Sequence, residues 1–322
     1  MDRKALRNFT HKAESMLRID NTNYKQWVFR YTFLELEKDL GTKGDITSNS
    51  IFEEKPTVKA KIVAKEDGVF AGREEIQYFL IDADPQFRPR IKSEFKLKFN
   101  VEDGQEIKNG DVLVEIEAEL HDLLAVERTV LNLIMRMSAI ATMTRRIVDL
   151  VKDYDVLITP TRKALWGWID RKAVVVGGGG THRLNLADAV LVKNTHLDIL
   201  NRDLDLVLQR VSEANLDCRF VEIEVSNVDE VVRLAQIFPK YLGAKIRSVG
   251  AALIDNVSAE DTKSAIEKVK SLGLYDNILF EASGRINEKT VLDYAKTGVD
   301  IVSMGCLTSG VQSLDMSLRM GG

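Results

Sequence analysis

Residues 156–196 read VLITPTRKALWGWIDRKAVVVGGGGTHRLNLADAVLVKNTH. Short β-branched runs, Val156–Thr159, Ala173–Val176 and Ala189–Val192, stand in this stretch between polar and glycine-rich connections. Further along come Phe220–Val225, Ala251–Ile254, Ile278–Glu281 and Val299–Ser303, separated by segments with the spacing of amphipathic helices. Asn227 with Glu230, and Ser258 with Asp261, are helix N-cap residues followed three positions on by an acid. Alternating short strands and helices imply parallel strands joined by crossovers, so the class is α/β. These runs predict an open (β/α) barrel of about seven strands.

Upstream, Leu124, Val126, Leu131, Ile134, Met137, Ile140 and Ile147 recur at mainly helical spacing, which predicts a long helical stretch over 122–152 linking two domains. Before it, 23–40 reads as a helix and GTKGDITSNS (41–50) as a turn-rich connection. VKAKIVAKEDGVFAG and LKFNVEDGQEIKNGDVLVEIEAEL alternate apolar and polar residues around Asp-Gly and Asn-Gly turns, the pattern of hairpins. The expected organisation is an N-terminal α+β sandwich-like domain (1–125), a β/α barrel domain (126–305) and a C-terminal segment (306–322) packing back towards the first domain. The second hairpin segment also looks like those of biotinyl and lipoyl carriers. Its turn lysine, Lys108, sits in a polar EIKNGD turn without the small or Met flanks a carrier presents.

Composition narrows the function classes. A net charge of −4 disfavours nucleic-acid binding, which needs a basic surface to displace counterions. The first residues lack the apolar run of a secretory signal, and no run is long enough to cross a bilayer, so a cytoplasmic protein is expected. Cys218 and Cys306 are too few for a disulfide framework. His11, His121, His182 and His196 form no close sequence cluster, which argues against a permanent transition-metal site.

In a β/α barrel the C-terminal strand ends converge on one mouth. The exits here carry Arg162 and Lys163, then His182 and Arg183, then Lys193, Glu224, Asp255, Ser283 with Gly284, and Gly305. Cations on early strands suit a polyanionic substrate, while two carboxylates on middle strands suit ribose hydroxyls or a phosphate-bound magnesium ion. Late glycine turns suit a terminal phosphate. Taken singly, each feature has a plainer reading: a solvated rim cation, a flexible turn at Gly177–Gly180, or a strand with one wet face where Glu222 and Glu224 alternate. Their joint placement is what points to a site.

These residues resemble the quinolinate phosphoribosyltransferases, also called nicotinate-nucleotide pyrophosphorylases. The resemblance runs from DLGTKGDITS through ERTVLNLIMRMSAIAT, the 161–196 stretch and VEIEVSN to ALIDNVS and EASGRINEKTVLDYAKTGVDIVSMGCLT. It implies that Arg162, His182, Arg183 and Lys193 bind quinolinate, with Arg128 reaching a neighbouring subunit's site, and that Lys163 contacts pyrophosphate or substrate. It also implies that Glu224 and Asp255 serve the ribose hydroxyls and magnesium, and that Ser283, Gly284 and Gly305 form phosphate-binding turns. Lys163, Lys193, Glu224 and Asp255 are the implied catalytic set. A homodimer or hexamer with shared sites is expected, without nucleic-acid or membrane partners.

The implied reaction joins quinolinate to phosphoribosyl pyrophosphate with decarboxylation, giving nicotinate mononucleotide, pyrophosphate and carbon dioxide for NAD biosynthesis. Two arginines, a lysine and a histidine suit a dicarboxylate better than nicotinate's single carboxylate. The chain departs from the family pattern in places. Thr-Arg-Lys-Thr-x-Pro-Gly becomes TRKALWGWIDRKAV, Lys-Asp-Asn-His becomes Lys193-Asn194-Thr195-His196, and Ser-Gly-Gly becomes Ser283-Gly284-Arg285. The longer spacing from Glu224 to Asp255 reads as an insertion, FPKYLGAKIRSV, in an outer helix and its loop. The altered loop 164–171 leaves open a relative acting on nicotinate or another carboxylated heterocycle, and a non-catalytic ligand-binding paralogue is a further alternative.

Overall fold

A computed structural model describes residues 2–84, 91–242 and 249–321. Among the described residues five strands precede the helix Leu120–Leu150: β1 (Thr57–Ala64), β2 (Gly68–Val69), β3 (Lys96–Phe99), β4 (Glu106–Ile107) and β5 (Val112–Glu119). After it come β6 (Leu157–Pro160), β7 (Val190–Val192), β8 (Phe220–Val225), β9 (Val249–Asp255), β10 (Leu279–Ser283) and β11 (Ile301–Met304). The last, β12, is Met316–Met320. The chain forms two compact units, one of residues 14–145, 165–178 and 310–322, the other of residues 1–13, 146–164 and 179–309. Among the described residues no helix is long and apolar enough to cross a membrane.

In the first unit β12, β1, β5 and β3 make an antiparallel sheet in that order. The alternating pattern read from the sequence works here as two faces. Ala60, Ile62, Val114, Ile116 and Ala118 are buried. On the other face Lys96 pairs with Glu117 at 2.6 Å and Lys98 with Glu115 at 2.8 Å, cross-strand partners in register. Such exposed pairs add little stability but fix register against a slipped alternative. Gly104 and Gly110 take the positive φ that the Asp-Gly and Asn-Gly turns require.

This unit also encloses an acid. The Tyr24 hydroxyl donates to Glu75 Oε1 at 2.5 Å, and both residues are fully buried. Burial first, and the nearby Asp103 carboxylate second, raise the Glu75 carboxyl to about 7. A raised acid favours folding while protonated, so this stability is complete below the ordinary carboxyl range and is lost as pH climbs through about 7. A shift from 4.5 to about 7 corresponds to about 3 kcal/mol. Glu75→Gln keeps an acceptor for Tyr24 without the charge. The variant should melt several degrees higher than the parent at pH 8 and nearly with it at pH 4.5, in paired thermal scans.

The second unit holds one parallel sheet in the order β6-β11-β10-β9-β8-β7. It is the open barrel with six strands, one fewer than the runs suggested. The run Ala173–Val176 is the end of a helix, Trp168–Val176, in the first unit. Ile169, Ala173 and Val174 are buried at helical spacing, and short apolar runs do not by themselves distinguish helix from strand. Gly177 ends that helix where a Cβ would lie 2.5 Å from the Ala141 carbonyl oxygen.

The helix Arg3–His11, unread in the sequence, belongs to the barrel unit. Arg3 grips Asp300 through two bonds of 2.7 Å and the carbonyls of Tyr275 and Ile278 at 2.7 and 2.9 Å. Leu6 packs on a core of Leu157, Ala251, Leu279 and Ile301. Of the FPKYLGAKIRSV stretch, 238–242 end the helix Val228–Leu242, and 243–248 lie outside the described residues.

Candidate active site

Parallel order sets the mouth. Along the sheet, the C-terminal ends present Arg162 and Lys163 after β6, Gly305 after β11, Ser283 and Gly284 at β10, Asp255 at β9, Glu224 in β8 and Lys193 after β7. These residues therefore share one end of one sheet, whereas His182 and Arg183, expected at the exit of a strand over 173–176, follow a helix instead. The Lys163 side chain lies over Gly305, where an added Cβ would sit 3.4 Å from its Cδ, and the Thr308 hydroxyl donates to the Lys163 carbonyl at 2.7 Å.

Across the mouth, Lys193 Nζ is 3.4 Å from Glu224 Oε1, and the Asn194 N–H donates to Glu224 Oε2 at 2.7 Å. Burial and then the Glu224 carboxylate push the Asp255 carboxyl up, against the opposing pull of Lys193 and Lys163. Two carboxylates thus face two lysines over a short span. Gly284 has φ +97° and packs so tightly that a Cβ would meet the Asn256 backbone nitrogen at 2.5 Å. The adjoining Arg285 takes φ +53°. A shallow cleft beside them is lined by Asn256, Val257, Ser258, Gly284, Arg285 and Tyr294.

Arg183 is only 4% exposed, donates from Nη1 to the Ala189 carbonyl at 3.3 Å and has no partner at Nε. Burial and then the nearby Arg162 charge lower its pKa. His182 has φ +53° and is also buried, with both ring nitrogens engaged by the protein. Its Nδ1 accepts the Arg183 N–H at 2.6 Å, and its Nε2 lies 3.1 Å from Glu281 Oε1.

Beneath the mouth, His11, His182, Glu222 and Glu281 converge, their ligand atoms within 4.8 Å of one another. All six residues of β8 are buried, and period-two alternation puts Glu222 and Glu224 on the same face, so the strand has no wet side. Burial and then Glu281 drive the Glu222 carboxyl well up. Against the upward push of burial, His182 and His11 hold Glu281 below the carboxylate range, and burial lowers His11. Glu222 was discernible from its two-residue offset to Glu224. Nothing in the sequence joins His11 to Glu281, 270 positions on.

Gly177–Gly180 serves close packing in part: a Cβ on Gly180 would meet the His11 carbonyl oxygen at 2.6 Å. In the first unit, the altered loop is anchored by aromatic and ionic contacts. Trp27 Nε1 donates to the Trp166 carbonyl at 3.0 Å, Tyr31 packs on the Trp166 ring at 4.3 Å, and Arg136 forks onto Asp170 through two 2.7 Å bonds. Arg128 lies exposed on the helix Leu120–Leu150. Asp122 on the same helix accepts from the Lys92 and Ser93 N–H groups at 2.9 and 2.7 Å.

Comparison with known proteins agrees with this arrangement. Residues 140–319 match the quinolinate phosphoribosyl transferase C-terminal domain, and 45–138 match its N-terminal domain. A probable carboxylating nicotinate-nucleotide pyrophosphorylase of Methanothermobacter thermautotrophicus is 35% identical over 291 residues, covering 89% of this chain and 96% of that protein. A decarboxylating quinolinate phosphoribosyltransferase of Nicotiana glauca is 30% identical over 297 residues, covering 89% and 80%. The crystal structure of nicotinate-nucleotide pyrophosphorylase from Ehrlichia chaffeensis superposes with a TM-score of 0.77 at 31% identity, covering 92% of this chain and 98% of that one. With both domains matched in order and the mouth residues on one sheet edge, the chain belongs to the quinolinate phosphoribosyltransferase family.

Proposed function

We propose that the protein transfers a phosphoribosyl group from phosphoribosyl pyrophosphate to quinolinate and releases carbon dioxide, forming nicotinate mononucleotide and pyrophosphate. The observation that carries this reading is Arg183, buried with an unpartnered Nε beside a second arginine, Arg162. Two guanidinium groups that repel each other in a partly desolvated place are matched by a ligand with two negative charges. Quinolinate's adjacent carboxylates supply them.

In this reading Arg162, Arg183 and Lys193 hold the carboxylates, and Glu224 and Asp255 take the ribose hydroxyls. The pyridine nitrogen lone pair forms a bond to ribose C1 as the bond to pyrophosphate breaks, its electrons leaving with the pyrophosphate. The ring then carries a positive charge, the bond to the 2-carboxylate breaks into the ring, carbon dioxide leaves and C2 takes a proton. Lys163 and Lys193 stabilise charge that grows on the leaving group, where fixed electrostatics has most effect. Ser283, Gly284 and Gly305 offer backbone to the terminal phosphate.

Glu224 and Asp255 fit a magnesium ion: they are hard oxygen donors on neighbouring strands, and burial together with the nearby Glu224 charge raises Asp255. Bound there with the substrate phosphates, magnesium would neutralise the departing pyrophosphate. Arg128, exposed on its helix, would complete the site of a neighbouring subunit in a homo-oligomer.

Incubation with magnesium, phosphoribosyl pyrophosphate and either quinolinate or nicotinate tests the reading. Nicotinate mononucleotide and carbon dioxide in equal amounts are expected with quinolinate. Turnover with nicotinate alone would transfer the site to a monocarboxylate, and product from neither would remove the activity.

A further inference from the structure

The buried group under the mouth has no part in the steps above, yet it touches the backbone that carries Arg183. We propose that the Glu281 carboxylate, with His11 behind it, is a positioning group for the pyridine dicarboxylate: it holds the His182 ring with its proton on Nε2, and that tautomer holds Arg183 in place.

The proton assignment follows from donors and acceptors. Arg183 N–H donates to His182 Nδ1 at 2.6 Å, so Nδ1 carries the lone pair and the ring proton is on Nε2. That proton points to Glu281 Oε1 at 3.1 Å. The other carboxylate oxygen, Oε2, is 3.2 Å from His11 Nε2, and His11 Nδ1 is 2.7 Å from the Thr10 hydroxyl. The Thr10 hydroxyl itself donates to the Leu6 and Arg7 carbonyls, both at 3.0 Å, and the two imidazole Nε2 atoms lie against the two oxygens of one carboxylate.

The backbone at His182 needs such a restraint. Its φ of +53° is a left-handed conformation that is unfavourable for a residue with a side chain. Arg219 adds a bond from Nη2 to the His182 carbonyl at 3.1 Å and one from Nη1 to the Thr10 carbonyl at 2.8 Å. His11 also stacks on Phe220 with ring centroids 4.6 Å apart, which fixes the ring behind Glu281. Arg183, Arg219, Glu222 and Glu224 are the other charged groups around the cluster.

Four ligand atoms within 4.8 Å would also suit a metal ion. A histidine bound to a metal normally donates from its other nitrogen, whereas His182 accepts there, and its Nε2 proton occupies the place a metal would take. The cluster therefore reads as a proton-ordered support.

The inference rests on the reading that Arg183 holds the dicarboxylate, so the test has one arm independent of substrate. In nitrogen-15 correlation spectra of the ligand-free protein at neutral pH, His182 should be neutral with its proton on Nε2. A proton on Nδ1, a doubly protonated ring or a stoichiometric metal in the purified protein would overturn the proposal. The second arm is calorimetry. Glu281→Leu, which removes the acceptor, should weaken quinolinate at least about tenfold and leave phosphoribosyl pyrophosphate within about twofold, and Glu281→Gln, which retains an acceptor oxygen, should recover most of the loss. Equal losses for both ligands, or a Gln variant as weak as the Leu variant, would reduce Glu281 to a general structural role. If Glu281→Leu does not fold, the histidine spectrum and the Gln variant still decide. An unaltered parent that ignores quinolinate would count against the function proposed above while leaving the tautomer result standing.

Discussion

Lys193→Ala is expected to lower turnover by about 10²–10³-fold, the usual effect of removing one preorganised group that meets developing charge, with the far-ultraviolet circular dichroism unchanged. The fold should tolerate the change because Lys193 is exposed beyond the end of β7 and its 3.4 Å Nζ contact with Glu224 is a half-exposed ion pair. The site should not tolerate it. Lys193 is one of the two lysines opposing the charge of Glu224 at Asp255. Without it the Asp255 carboxyl should rise further, and the pH at which the remaining activity switches on should move upward with it. Steady-state rates across pH measure both effects; a near-parental rate would remove Lys193 from the chemistry.

The second large effect is a restoration. Arg128→Ala and Lys193→Ala subunits should each be nearly inactive alone. Mixed and re-formed at equal amounts as dimers with closed two-fold symmetry, half the dimers are hybrids, and each hybrid has one site with both residues intact. Activity should return to about a quarter of the parent value, the fraction of such sites. The same helix places Arg128 exposed while Asp122 is committed to two backbone N–H groups, which leaves the arginine available to another molecule. Hybrids verified by native mass spectrometry that stay as inactive as their parents would exclude a shared site.

The mouth was legible because a parallel sheet turns sequence position into spatial position. Once Phe220–Val225 and Ile278–Glu281 were read as strands, the residues following them had to share an edge. The helix Trp168–Val176 reads as a strand in the sequence because its three consecutive valines favour strand locally and so short an apolar run has no periodicity to oppose them, so tertiary packing decides. The support under the mouth was hidden for a different reason. His11 reaches Glu281 only because Arg3–His11 folds onto the barrel, and no local pattern encodes a contact over that separation. The altered loop was seen as a loss of the family's proline, but its replacement was not legible: Trp27, Tyr31 and Arg136, distant in sequence, hold Trp166 and Asp170.

The grip of Arg3 on Asp300 spans 297 positions. During synthesis Arg3 emerges 297 positions ahead of Asp300, so the helix Arg3–His11 must wait while the intervening chain is made, with Leu6 and His11 unpaired. Contacts of such sequence separation slow the search for the native state, and a transiently exposed apolar face invites association with other chains. Refolding from denaturant should accordingly end in a slow step that docks residues 3–11, after the local hairpins and helices have formed, and substitutions at Arg3 should slow that step more than they alter the earlier ones.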